Sequence, residues 1–244
     1  MEGFSHEILF GILVIFVAAM TQGATSFGFS LIGVPLLGIL FPLQVAVPVL
    51  MIFSLILNSL VLYHIRAHVQ LKKIIILVIF GILGTPFGVY LLKVLAEDTL
   101  KLVVGIIIVI VAGVNISGYH FTVKNEKISF IPIGLASGLL NGSVSLGGPP
   151  IVLFLNNQKV EKQAFRGNLT LYFWVINLFS IPAYFFSGLI TQEVIRSAVY
   201  LFPGLILGTL IGIRIGNQVE EQLFKKISMS LIMGMGILSI LSGI

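Results

Sequence analysis

Residues 141–155 read NGSVSLGGPPIVLFL. Gly, Ser and Pro of the kind that build surface loops run without a charge into Ile, Val, Leu and Phe, and the flanking chain is apolar enough to lie in a bilayer. A second interruption of the same kind, QGATSFGFS, occupies 22–30. Lipid offers no partner to an unpaired N–H or C=O, so non-helical backbone at membrane depth survives only where it is buried in protein or lines a watery cavity. How these two interruptions sit decides the fold.

The chain around them is a membrane protein by composition. Of its 244 residues 57% are hydrophobic and 9% charged, against roughly 25% charged in a soluble domain. Apolar segments at 8–41, 43–64, 73–95, 99–119, 128–157, 166–187, 196–217 and 223–244 leave no stretch for a soluble domain. Six have ordinary spanning length. The other two, 8–41 and 128–157, are too long for a simple crossing, and each carries one of the interruptions. The halves of the first, 8–21 and 30–41, would each be only about 20 Å long against a hydrocarbon core of roughly 30 Å.

The net charge of +5 comes from 14 basic residues scattered through short connections, with no basic tract to hold nucleic acid. The absence of cysteine excludes disulfides, thiolate metal sites and thiol redox chemistry. Glu2, His6 and Glu7, rather than a basic region, precede the first apolar segment, which reads as part of the mature protein.

Charge also sets the expected topology. If both interrupted segments enter and leave by one face, that arrangement gathers Arg66, Lys72, Lys73, Lys124, Lys127, Lys159, Lys162, Arg166, Arg214, Lys225 and Lys226 on one side. The other side keeps only Lys93, Lys101 and Arg196, a split of 11 against 3. Eight full crossings would give 8 against 6. The positive-inside rule favours the re-entrant arrangement, with both termini outside the cytoplasm of a multi-pass protein of the cell inner membrane.

The two interruptions also align. At an offset of 119, Gln22 falls on Asn141, Gly23 on Gly142, Ser26 on Ser145, Gly28 on Gly147 and Asn58 on Asn177. At 124, Gly84, Thr85 and Gly88 fall on Gly208, Thr209 and Gly212. The expectation is an all-α polytopic membrane protein of two inverted-topology repeats, 1–121 and 122–244. Each would hold one broken, re-entrant helix pair and three spanning helices, the plan of many secondary transporters.

A helix that restarts inside the membrane presents unpaired N–H groups and the positive end of its dipole, which attract anions. Gly147 and Gly148 allow close backbone approach, Pro149 suits a first helical turn, and Ser143 and Ser145 add hydroxyls. Thr25, Ser26 and Ser30 flank Gly28 in the same manner, with Phe27 and Phe29 as candidate gates. Asn58 and Asn177 either touch substrate or bond between helices. Gln22 and Asn141 complete the candidate set, with Arg166 either a counter-charge for a bound anion or an ordinary cytoplasmic-side cation. Small residues that only let helices pack are the alternative reading of the glycines. All nine acidic residues fall in termini or connections, so a coupling proton would travel on the substrate or through His64, His68 or His120. No metal-ligand spacing, catalytic triad or phosphate loop occurs, and neither a cofactor nor an enzymatic activity is expected.

The motifs QGATSFGFSLIGVPLL at 22–37 and GSVSLGGPPIVLFL at 142–155, with AFRGNL at 164–169 and Asn177, resemble those of the sulfite exporter TauE/SafE family of bacterial membrane proteins. Phe29 and Ser30 stand where glycine is frequent in that family. The resemblance implies export of small sulfur-containing or organic anions such as sulfite, thiosulfate or sulfonates. A passive anion channel and an accessory protein without transport of its own are the competing expectations. The anion, the direction, the coupling ion and the oligomeric state are not read from the sequence.

Overall fold

The computed structural model describes residues 2–116, 126–157 and 161–218, with isolated positions beyond, and every regular element among them is helical. In order these are α1 (Glu2–Thr25), α2 (Phe29–Leu37), α3 (Leu43–Ile65), a 3-10 turn (Arg66–His68), α4 (Leu71–Val94), α5 (Glu97–Ile116), α6 (Glu126–Val144), α7 (Gly148–Asn157), α8 (Lys162–Phe186) and α9 (Gln192–Gln218). Helices α1, α3, α4, α8 and α9 are long and apolar enough to cross a membrane. The expected last segment, 223–244, lies almost wholly outside the described residues.

Both interrupted segments are broken helices, but the breaks are shorter and later than composition suggests. Gln22–Thr25 continue α1, and only Ser26, Phe27 and Gly28 leave the helix. Likewise α6 runs to Val144, and α7 begins at Gly148. The expected pair of equal, roughly 20 Å halves is therefore corrected: at 24 and 9 residues, α1 and α2 are about 36 and 14 Å long. Tertiary packing overrides the weak helix propensity of Gly and Thr here. Gly23 lies against the Thr209 carbonyl of α9, where a Cβ would sit 2.9 Å from that oxygen.

Each broken helix doubles back on itself. A Cβ on Gly11, in α1, would lie 3.6 Å from Leu40, just beyond α2. Phe130 near the start of α6 meets Phe154 near the end of α7 edge to face, with ring centroids 5.1 Å apart.

The long arms then pack on distant helices. Helix α1 runs alongside α9, Gly208 facing the Phe16 carbonyl and Gly212 that of Met20. Helix α6 runs alongside α4, Gly84 facing the Leu135 carbonyl and Gly88 that of Leu139. These are the same contacts displaced by 119 residues on one helix and 124 on the other, and Gly142 against Thr85 repeats Gly23 against Thr209. A side chain larger than hydrogen at these glycines would push the backbones apart, which is how small residues bring membrane helices together. Helices α3 and α8 cross between the two pairs in opposite directions, Trp174 bonding Ser59 and Asn177 bonding Ser54.

Candidate functional site

The two breaks face each other at the centre of this arrangement. Ser30 Oγ, in the first turn of α2, lies 2.7 Å from Ser145 Oγ of the second break. At matching places in the two breaks, Ser26 (φ 66°) and Ser145 (φ 60°) hold left-handed backbone. For a residue other than glycine that conformation costs on the order of 1–3 kcal/mol and persists only where the surroundings enforce it.

What enforces the first break is on its own side chains. The Thr25 hydroxyl is 2.8 Å from the Thr21 carbonyl and 2.7 Å from that of Phe27. Gly28 takes φ 95°, which suits glycine. The Phe29 N–H, left bare by the restart of the helix, donates to Gln22 Oε1 at 3.3 Å. The second break is held by Ser137, whose hydroxyl donates to the Gly147 carbonyl at 2.6 Å. Of the first four N–H positions of α7, Pro149 and Pro150 remove two, leaving those of Gly148 and Ile151.

Behind the breaks lies a buried chain of amides. Gln22 Nε2 donates to Asn58 Oδ1 at 2.8 Å, and Asn141 Nδ2 donates to Asn177 Oδ1 at 3.2 Å, the same pairing 119 residues apart. Asn58 Nδ2 and Asn177 Nδ2 both donate to Ser54 Oγ, at 3.1 and 2.9 Å. Ser54 stands eleven residues from either end of α3, so this centre lies near the middle of a helix of membrane-spanning length.

A small polar cavity opens between the breaks. Of the residues singled out from sequence, Gln22, Gly28, Ser30, Asn141, Ser145 and Gly148 line it, as does the gate candidate Phe27. Its free volume of about 20 Å³ holds little more than one water. Anything larger than a water enters only if the walls move. Gly148 faces this space: a Cβ there would meet only the Phe173 ring, at 3.7 Å. Gly147 faces protein instead, where a Cβ would lie 2.7 Å from the Ser137 carbonyl and 2.8 Å from Asn141.

The remaining candidates stand back from the cavity. Thr25 caps the first break, Phe29 is fully buried, and Ser143 bonds the Leu139 carbonyl of its own helix. Asn58 and Asn177 sit one step behind Gln22 and Asn141. Ser26 Oγ is buried without a hydrogen-bond partner. Arg166 is fully buried at the start of α8. Its guanidinium donates to the Gly23 carbonyl at 3.0 Å and to Asn217 Oδ1 at 3.1 Å, while Gln163 Oε1 lies at 3.4 Å. All three acceptors are neutral, and Nε has none.

Its neighbours in sequence are equally engaged. Phe165 meets Phe27 edge to face at 6.4 Å. Gly167 admits the His68 backbone, and Asn168 Oδ1 accepts the Gln70 N–H at 2.8 Å. His64 lies at the surface, its Nδ1 2.8 Å from the Leu60 carbonyl, and His120 is outside the described residues. Among the described residues no Asp or Glu is buried, and no three His, Asp or Glu side chains gather to hold a metal.

Sequence reasoning does not single out Ser54, Leu146 or Phe173, all of which line the cavity. A signal for two of them exists: Ser54 precedes Asn58 by four residues, as Phe173 precedes Asn177, which puts each pair on one helix face.

No curated protein and no solved structure matches the chain. Residues 11–239 match the family model described as Sulfite exporter TauE/SafE. That match spans both broken helices, the amide chain between them and the α8 stretch that carries Arg166, and on it this chain belongs to the sulfite exporter TauE/SafE family of multi-pass membrane anion transporters, which are not enzymes.

Proposed function

We propose that the protein is a secondary transporter that exports small sulfur-containing or organic anions, of the class of sulfite, thiosulfate and simple sulfonates, by alternating access. The site is the cavity between the two breaks. The observation that carries this reading is the meeting of two broken helices at Ser30 and Ser145, backed by amide pairs of identical spacing. Gly148 N–H, the Ser30 and Ser145 hydroxyls and the amides supply donors to an anion. The positive ends of α2 and α7 point at the same place.

The halves 1–121 and 122–244 are inverted repeats in this reading, supported by the helix contacts that recur at offsets of 119 and 124. Each repeat lends its broken helix to the other, α1 to α9 and α6 to α4. Phe27, edge to face with Phe165, gates the cavity toward the end where Arg166 ties α1, α8 and α9 together. The smallness of the cavity favours a carrier over a passive channel. With no buried carboxylate among the described residues, a coupling proton travels on the substrate or through a histidine near the cytoplasmic face.

Counterflow of labelled sulfite, thiosulfate and methanesulfonate in proteoliposomes tests the function. Saturable exchange of at least one is expected. A folded protein that exchanges none of them leaves only an accessory role, and single-molecule flux far above carrier turnover identifies a channel. Orientation is tested separately on this cysteine-free chain. Single cysteines replacing Pro42 and Asp98 should label from outside the cell, and those replacing Gln70, Asn125 and Val160 only from within. Labelling at position 42 from the cytoplasm defeats the re-entrant topology.

A further inference from the structure

Ser54 is the one hydroxyl on which the amide chains of both halves converge, and its bonding leaves it a single capacity. Amide groups can ordinarily be turned end for end without visible consequence, but here each chain is anchored by a group that cannot reverse. On one side the Phe29 backbone N–H can only donate, which turns Gln22 Oε1 toward it. Gln22 must then give its Nε2 to Asn58 Oδ1, and Asn58 its Nδ2 to Ser54. On the other side the Met51 thioether carries no hydrogen, so the amino group of Asn141 faces it, at 3.7 Å. That same amino group reaches Asn177 Oδ1, and Asn177 in turn gives its Nδ2 to Ser54.

A hydroxyl has two lone pairs and one hydrogen. Both lone pairs of Ser54 receive an amide N–H, while its O–H meets no acceptor among the described residues. The side chain is buried, 7% exposed, and lines the cavity. Hydrogen bonds received by an oxygen polarise its own O–H and strengthen it as a donor. The Ser30 and Ser145 pair differs, since either member can donate to the other. The residue 119 positions after Ser54 is Phe173, also on the cavity wall, so the second half offers no counterpart.

We propose that Ser54 is a substrate-binding residue of fixed polarity, a pure donor that selects an anion with an unprotonated oxygen at that point. The proposal rests on the transport reading above. A protonated oxygen placed there would meet hydrogen with hydrogen, so bisulfite must turn its protonated oxygen elsewhere, and with half the charge of sulfite it takes a weaker bond from Ser54.

The test is equilibrium binding of labelled sulfite and thiosulfate to the purified full-length protein, for wild type, Ser54→Ala and Ser54→Thr, with sulfite followed across the pH range of its last ionisation. Ser54→Ala is expected to bind either anion roughly 10- to 100-fold more weakly, the worth of a hydrogen bond to a charged group. Ser54→Thr, which keeps the hydroxyl, should stay within a few-fold of wild type. Wild-type affinity for total sulfite should rise as the pH rises and the anion loses its proton, and Ser54→Ala should flatten that rise. A merely structural role lowers affinity without changing the pH profile, and that result overturns the proposal. So does Ser54→Ala affinity within about threefold of wild type, or Ser54→Thr as weak as Ser54→Ala. If Ser54→Ala does not fold, Ser54→Cys fills the space with a weak donor and is held to the same outcomes. A wild type that binds neither anion defeats the transport reading instead.

Discussion

The two breaks are built to the same plan and finished differently. Each holds a serine in left-handed backbone, yet the first is closed by its own side chains: Thr25 turns inward onto Phe27, Gln22 covers the Phe29 N–H, and Gly28 carries the bend. The second leaves Gly148 beside free space, with two prolines behind it and Ser137 holding Gly147 from outside. Apart from the unpartnered Ser26 hydroxyl, the first break has spent its polar groups on its own geometry, while the second leaves Gly148 open to the cavity. Identical spacing therefore does not imply identical duty.

The widest gap between neighbouring positions should appear in the second break. Gly148→Val places its Cβ at ordinary contact distance from the Phe173 ring, fills the cavity and should abolish anion binding with little change in Tm. Gly147→Val drives a side chain into Ser137 and Asn141 and should instead lose folded protein. Binding and Tm measured on both variants check the contrast, and normal affinity in Gly148→Val removes this loop from the site.

The serines come next. Ser145→Ala should weaken binding about 5- to 30-fold, for a lost bond of about 1–2 kcal/mol. Ser26→Ala, which removes a hydroxyl with no partner, should change affinity less than about twofold. Equal losses at the two positions, as strict repeat symmetry demands, would place Ser26 in the binding state after all.

Gly28→Ala probes the first break alone. A Cβ in left-handed backbone costs about 1–2 kcal/mol, so Tm should fall while affinity per folded molecule holds. A fall in affinity with unchanged Tm would show that Gly28 serves the ligand rather than the bend. The smallest effect is expected farthest from the cavity. Asn168→Ala frees the Gln70 N–H and should cost about 1 kcal/mol of stability, with binding unaltered, as denaturation and titration of the variant would show.

Much of this is legible in the sequence because lipid is an unforgiving solvent. Gly, Ser and Pro inside an apolar segment announce non-helical backbone there, and the matched spacing of Gln22 with Asn58 and Asn141 with Asn177 points to one shared centre. The ends of the breaks are not legible. Gln22–Thr25 look like loop until α9 is seen to pack against Gly23, a contact made by residues almost two hundred positions away. Ser54 is hidden for a related reason. A lone serine in an apolar helix ordinarily bonds the carbonyl one turn back, and only the arrival of Asn58 and Asn177 on its oxygen gives it another use. Arg166 reads as a cytoplasmic-side charge, whereas its burial against Gly23 and Asn217 depends on three helices meeting.

The pairing of α1 with α9 also has a consequence for how the protein is made. Gly208 is synthesised 192 residues after Phe16, the residue whose carbonyl it covers. At about 5–20 residues per second, the groove-facing side of α1 waits on the order of 10–40 s for its partner, while α4 and α6 can already pair. The first break is thus the last to gain its packing partner. A chain ending before α9 should hold its second break and leave the first unformed, visible as a cysteine replacing Ser145 being shielded from a small membrane-permeant thiol reagent while one replacing Ser26 reacts.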